Sequence, residues 1–145
     1  MGQPPDRTAP ASTPQKRNVQ RYLTLAYMAF VVYVSLAPGQ RVPSILDWSS
    51  LIGPDKIAHF GAYGIFAVLL CLSLAIEPPI RRMMVAVGGA ALFGALMEVL
   101  QALMGAGRTF DPVDMVANLI GATLGGVLYG IFLYLVNKYS VHPES

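Results

Sequence analysis

The sequence predicts an all-α integral membrane protein, a bundle of four helices, from its composition and from four long apolar segments. Hydrophobic residues make up 54% of the 145 residues and charged residues only 12%, whereas about a quarter of a typical soluble domain is charged. Three of the segments contain about 20 residues, which as helices would be about 30 Å long, the thickness of a hydrocarbon core. None alternates polar and apolar residues, which indicates helices rather than strands.

Charged or helix-breaking residues separate these segments. The first is bounded by Arg21 and Pro38 and is shorter than a full span, so its helix must extend past Arg21 or thin the bilayer locally. The second ends before a Glu-Pro-Pro breaker, and the third follows two arginines. The segments are residues 22–37, 57–76, 83–104 and 115–136.

The sequence divides into a membrane domain and two tails. Residues 1–21 are rich in Pro, Thr, Ser and basic residues without apolar periodicity, so we interpret them as a disordered tail. Residues 22–138 are the transmembrane domain and residues 139–145 a short tail. A cleaved signal peptide is the alternative for the first segment, because a basic flank precedes it and Ser35–Ala37 resembles a cleavage site. Pro38 after that bond favours a retained helix.

The distribution of basic residues predicts the orientation. Four helices place both termini and the loop between the second and third helices on one side. That side holds seven of the ten lysines and arginines. By the positive-inside rule it is cytoplasmic. We therefore predict a multi-pass protein of the cell membrane with both termini in the cytoplasm.

Composition and motifs also exclude several functions. The net charge is +2 and the basic residues are scattered, so no nucleic-acid partner is predicted. The single cysteine, Cys71, permits no disulfide within the chain and is expected to be a buried, inert thiol. No phosphate-cradling glycine loop, nucleophile elbow or HExxH motif is present, so no cofactor is predicted.

Polar residues gather where three of the helices meet one membrane face. In each of the last three helices a pair of polar residues is spaced three or four apart, so both members share a face. Glu98 lies about 10 Å from the end of its helix and Asn118 about 6 Å inside, while Arg108 comes from the loop above. This convergence predicts a site. The pairs are Asp55 with His59, Glu98 with Gln101, and Asp114 with Asn118.

Small residues continue the same faces deeper into the bundle. Ala90 and Gly94 lie below Glu98, and Gly121 and Gly125 lie below Asn118 at GxxxG spacing. Small residues let helix backbones approach closely in lipid. Their alignment predicts that the polar residues face the inside of the bundle.

Structural roles compete for several of these residues. Asp111 would be the N-cap of the fourth helix, with Pro112 as its first residue and Asp114 in its first turn. Asp55 would likewise cap the second helix. Lys56 is interpreted as an ordinary interfacial charge.

Two further residues receive different interpretations. Tyr63 is interpreted as an interfacial anchor. Glu98 is a functional candidate, because an acid at depth costs about 2.5 to 3.5 kcal/mol on insertion scales and needs a partner. Arg108 or His59 is the expected partner.

Acid–base chemistry is open to the cluster, whereas a metal is not predicted. His59 could act as acid or base with Glu98 or Asp114 orienting it. Only one histidine and no cysteine lie near the site, so zinc binding is not expected. The cytoplasmic half lacks matching ionisable residues, which argues against a proton relay through the membrane.

Three motifs follow one another along the chain: D-K-x-x-H-F-x-x-Y-G at 55–64, E-x-x-Q at 98–101 and G-R-x₅-D-x₃-N-x-x-G at 107–121. In this order and spacing they resemble the VanZ-like family, small membrane proteins named after an accessory teicoplanin-resistance protein. The resemblance covers residues 35–131 and implies a four-helix integral membrane protein, without a settled activity. A role in glycopeptide susceptibility is suggested by the family resemblance only and does not follow from membership alone. The motif residues that carry over are Asp55, Lys56, His59, Glu98, Gln101, Arg108, Asp114, Asn118 and Gly121.

Three functions remain open at this point. The leading hypothesis is that the protein binds, without turnover, a lipid-linked or cell-wall-related ligand or a membrane protein partner at its extracytoplasmic face. The second is an enzyme acting on an envelope lipid through His59 with Glu98 or Asp114. The third is a structural protein whose polar cluster only locks the helices together.

Overall fold

The computed structural model describes residues 14–36, 53–104 and 110–140, which form four α-helices. None of the described residues belongs to a β-strand. The helices are α1, Pro14–Leu36; α2, Pro54–Ser73; α3, Pro79–Met104; and α4, Pro112–Ser140. The predicted all-α, four-helix bundle is confirmed.

All four helices are long and apolar enough to cross a membrane. Their mean hydropathy ranges from 1.3 for α1 to 2.0 for α4. The shortest has 20 residues, which at 1.5 Å per residue gives about 30 Å. The chain is therefore a multi-pass membrane protein.

The helix ends differ from the apolar segments where local chemistry intervenes. α1 begins at Pro14, so its helix extends past Arg21 and residues 14–21 are helical rather than part of a tail. α2 ends at Ser73, and Leu74 is already extended with its N–H donated to Leu70. α3 begins at Pro79, because proline lacks the N–H that a first helical residue would leave unpaired.

α2 and α4 are in backbone contact. A methyl group added to Gly121 would lie 2.1 Å from the carbonyl oxygen of Phe60, and one added to Gly125 would lie 2.2 Å from that of Gly64. Only glycine fits at these two positions. The predicted small-residue face of α4 therefore packs directly against the α2 backbone.

α3 packs against both α2 and α4 and places its own small residues at these contacts. A methyl group on Gly94 would lie 2.8 Å from Asn118 Nδ2 and 3.0 Å from the ring of Tyr63. Ala90, one turn deeper, is fully buried. These contacts fix the depth at which the polar residues of α3 and α4 meet.

α1 is attached to the bundle by hydrogen bonds to backbone carbonyls. Tyr27 donates to Ala62 of α2 over 3.1 Å, and Thr24 Oγ1 lies 3.1 Å from the carbonyl oxygen of Leu69. At the other end of α1, Ser35 accepts a hydrogen bond from Gln101 of α3 over 2.9 Å.

The bundle end formed by the C-terminus of α2 and the N-terminus of α3 centres on Arg82. Its guanidinium donates to the carbonyl of Ile76 over 2.9 Å and to the Tyr129 hydroxyl over 2.7 Å, and it pairs with Glu77. Cys71 is fully buried near this end, as predicted.

Candidate functional site

The opposite end of the bundle carries a group of polar side chains that we call the polar cluster. It is formed by the start of α2, the last turns of α3 and the start of α4. Its members are Lys56, His59, Glu98, Asp111, Asp114 and Asn118.

Lys56 joins α2 to the start of α4. Its ammonium lies 3.0 Å from Asp111 Oδ2 and 3.1 Å from Asp114 Oδ1. The Lys56 and Asp114 side chains are only 12% and 13% exposed. The interpretation of Lys56 as an ordinary interfacial charge is therefore wrong, because the lysine bridges two carboxylates from inside the bundle.

Asp111 both caps α4 and pairs with Lys56. Its Oδ1 accepts the N–H of Val113 over 2.8 Å, and Pro112 is the first residue of the helix, so the predicted cap is confirmed. The hydrogen bond from the Lys56 ammonium holds the pKa of the Asp111 carboxyl below its usual range. Capping is thus one of two roles for this residue.

Glu98 lies beneath Asp111 and is only 1% exposed. Its Oε2 accepts the backbone N–H of Asp111 over 3.4 Å. Its Oε1 lies 3.9 Å from His59 Nδ1, beyond hydrogen-bond distance. His59 is therefore the basic side chain nearest to this oxygen among the described residues, whereas Arg108 lies outside them.

His59 stands between two carboxylates and one amide. Its Nδ1 lies 3.0 Å from Asn118 Oδ1, and its Nε2 lies 3.8 Å from Asp114 Oδ2. Because an amide oxygen only accepts hydrogen bonds, Nδ1 carries the hydrogen. In the neutral ring, Nε2 then keeps its lone pair and faces Asp114.

Three buried polar atoms at the inner edge of the cluster have no hydrogen-bond partner among the described residues. They are Glu98 Oε1, Asn118 Nδ2 and the Tyr63 hydroxyl oxygen. The Tyr63 ring is 2% exposed and stacks parallel to His59, with 6.4 Å between centroids. The interpretation of Tyr63 as an interfacial anchor is therefore wrong. Native proteins leave few buried polar atoms unpaired, so these three are available to a partner from outside the described residues.

Of the remaining motif residues, the structure describes the positions of Gln101 and Gly121. Gln101 is buried beside Glu98, as predicted, but it bonds to the α1 backbone at Ser35 rather than to the cluster. Gly121 lies one turn below Asn118 against α2. The Asp55 side chain and Arg108 lie outside the described residues.

Three members of the cluster are close enough together to hold a metal ion. His59, Glu98 and Asp114 each offer one ligand atom, and these atoms lie within 4.8 Å of one another. No metal is predicted here from the sequence, because only one histidine and no cysteine lie near the site. Imidazole nitrogens and carboxylate oxygens are nevertheless both metal ligands in proteins.

Lys56 and Asp111 are the members that sequence reasoning undervalued. The lysine is separated by 55 and 58 residues from its two carboxylate partners. No periodicity connects residues at such separations. The available signal was the D-K pair at 55–56 within a motif, which spacing alone could not attach to α4.

The fold and this cluster together define a class of small four-helix membrane proteins with a buried polar cluster at one bundle end. A family model described as VanZ/LLP1 matches residues 6–133. The chain belongs to this family, and the resemblance seen in the sequence is confirmed. No curated protein and no solved structure gave a significant match to the chain.

Proposed function

We propose that the polar cluster binds the polar head group of an envelope lipid or lipid-linked precursor at the extracytoplasmic face of the cell membrane, without turnover. The observation that carries this proposal is a set of three buried atoms without a hydrogen-bond partner in the described part of the chain: Glu98 Oε1, Asn118 Nδ2 and the Tyr63 hydroxyl. A bound head group would satisfy them. Its acyl or prenyl chain would remain in the lipid beside the helices.

The donors and acceptors of the cluster indicate a ligand rich in hydroxyl groups. Glu98 Oε1 needs a donor, Asn118 Nδ2 needs an acceptor, and the Tyr63 hydroxyl accepts either. A hydroxyl donates and accepts, so adjacent hydroxyls of a sugar match this set. A cell-wall precursor of that kind would connect the site with glycopeptide susceptibility.

The structural alternative explains only the outer half of the cluster. Lys56, Asp111 and Asp114 satisfy one another and tie α2 to α4. A cluster that served only to hold the helices together would also pair every polar atom of Glu98 and Asn118, since unsatisfied buried groups destabilise the bundle. The inner half therefore favours binding.

The enzymatic alternative is favoured by one specific observation, the position of His59 between two carboxylates at 3.8 and 3.9 Å. Such a histidine could transfer a proton to or from a bound head group, oriented by Asp114 or Glu98. Chemical change of the bound lipid on incubation with purified protein would distinguish this function from binding alone.

The binding proposal predicts that Glu98→Gln removes a specific lipid from the purified protein. Wild-type protein extracted from native membranes in mild detergent is expected to retain a hydroxyl-rich lipid above its bulk membrane proportion. The substitution keeps the shape but weakens the acceptor, so we expect at least about a tenfold loss, about 1.4 kcal/mol. Lipid mass spectrometry measures the ratio.

Glu77→Gln is the matched control. Glu77 is an exposed glutamate that pairs with Arg82 at the other end of the bundle, so the same substitution there should leave the retained lipid unchanged. Identical lipid profiles for wild type and both variants would contradict the binding proposal.

The orientation predicts opposite labelling at the two bundle ends. Phe110 precedes α4 on the side of the polar cluster, and Ser140 ends α4 on the other side; both are exposed. In a Cys71→Ala background, Phe110→Cys should react with an impermeant thiol reagent in intact cells and Ser140→Cys should react only after lysis. The reverse pattern would place the cluster in the cytoplasm.

A further inference from the structure

We propose that His59, Glu98 and Asp114 bind a single divalent ion of the Zn²⁺ or Mn²⁺ class. Their ligand atoms lie within 4.8 Å of one another, and His59 Nε2 is 3.8 Å from Asp114 Oδ2. Ligands of a tetrahedral zinc ion are about 3.4 Å apart. A contraction of a few tenths of an ångström therefore brings this pair to metal-ligand spacing.

Glu98 supplies an independent observation that indicates a cation. It is 1% exposed, and its Oε1 has no hydrogen-bond partner among the described residues, although it lies 3.9 Å from His59 Nδ1. Buried carboxylates are normally paired or coordinate a metal. A divalent ion between the three side chains would satisfy this oxygen directly.

Each of the three ligands is already held by a neighbour through its other polar atom. Asn118 accepts from His59 Nδ1, which leaves Nε2 with its lone pair. Lys56 binds Asp114 Oδ1 and leaves Oδ2 towards His59, and the N–H of Asp111 binds Glu98 Oε2 and leaves Oε1. Such outer partners orient metal ligands and fix the histidine tautomer in metalloproteins.

The ion would change which head groups the cluster accepts, an extension that rests on the proposed function. Among the described residues of the cluster, the acidic side chains of Glu98, Asp111 and Asp114 face a single lysine, and a divalent ion would make this end of the bundle more favourable for a phosphate. A divalent ion with three protein ligands keeps at least one position open. A phosphate oxygen of a lipid-linked precursor could occupy that position, while its sugar meets Tyr63 and Asn118.

Metal content is the direct test. Wild-type protein is stripped with a chelator in detergent, incubated with Zn²⁺ alone or Mn²⁺ alone, passed through a desalting column and analysed by mass spectrometry for metal. We expect about one ion per chain for wild type and for Glu77→Gln. We expect at least a tenfold weaker affinity for Glu98→Gln and for His59→Gln, because losing a ligand should cost no less than losing one of its outer partners, which typically costs about 10–100-fold.

A second measurement on wild type keeps the proposal falsifiable if either variant fails to fold. The ion should raise the thermal unfolding temperature of stripped wild type in proportion to the logarithm of its concentration. Absence of both a stoichiometric ion and this stabilisation would overturn the metal site, and so would equal binding by wild type and both folded variants. If metal-free protein binds no ion but still retains the lipid, the metal site is overturned and the proposed function is kept. If the protein binds the ion but retains no selected lipid, the proposed function is overturned and the metal site is kept.

Discussion

Gly121→Ala is expected to destabilise the bundle by about 3 kcal/mol, the upper end of the usual cost of overpacking. The added methyl group would lie 2.1 Å from the Phe60 carbonyl oxygen and 2.8 Å from its carbonyl carbon. A flexible side chain could move aside, but here the obstacle is the α2 backbone. The two helices must therefore separate. Thermal or denaturant unfolding in detergent measures the loss.

The same substitution should also weaken the polar cluster. His59 precedes Phe60 in α2 and lies 3.0 Å from Asn118 of α4, so a displacement at Gly121 is transmitted to this contact within one turn. Lipid retention by Gly121→Ala should fall together with stability.

Gly88→Ala is the control for this prediction. Gly88 lies in α3 with no atom within 4 Å of an added methyl group, and alanine is favoured over glycine in a helix by about 1 kcal/mol. Gly88→Ala should therefore be neutral or stabilising. Equal stability of Gly121→Ala and wild type would contradict the backbone contact between α2 and α4.

The fold was predictable because its signals are local and periodic. Apolar length alone identifies α2, α3 and α4, since each must cross about 30 Å of hydrocarbon. The spacing of Glu98 with Gly94, and of Asn118 with Gly121, correctly predicted that polar and small residues share an inward face. Helix ends were less predictable, because the end of α2 at Ser73 depends on the extended backbone of Leu74 rather than on hydropathy.

The contacts within the candidate site were only partly predictable, because they depend on how closely α2 and α4 approach each other. Lys56 near a helix end resembles any interfacial lysine until Gly121 and Gly125 bring α4 against the α2 backbone. That approach carries Lys56 to the two carboxylates of α4. From the sequence, Tyr63 resembles an aromatic anchor at the membrane interface. Helix packing buries it, because α3 covers its ring at Gly94.

The second large effect is expected for Lys56→Met, which should cost about 3 kcal/mol, the lower end of values for removing one partner of a buried ion pair. Methionine fills the space of the aliphatic stem but leaves Asp111 and Asp114 without the ammonium that lies 3.0 and 3.1 Å from them. Both carboxylates then repel each other at the end of the bundle. Thermal unfolding of wild type and variant in the same detergent measures the loss.

A double variant separates this pairing from packing. Adding Asp114→Asn to Lys56→Met removes the uncompensated charge of Asp114. The double variant should therefore lose less stability than the two single losses added together. We expect a difference of more than about 1 kcal/mol, within the range for residues in contact. Arg81→Met, at an exposed position of α3, should change stability by less than about 0.5 kcal/mol. Strict additivity of the two substitutions would contradict the ion pair. Since the pair also holds Asp114 Oδ1 and leaves Oδ2 towards His59, Lys56→Met should bind Zn²⁺ more weakly while keeping all three proposed ligands.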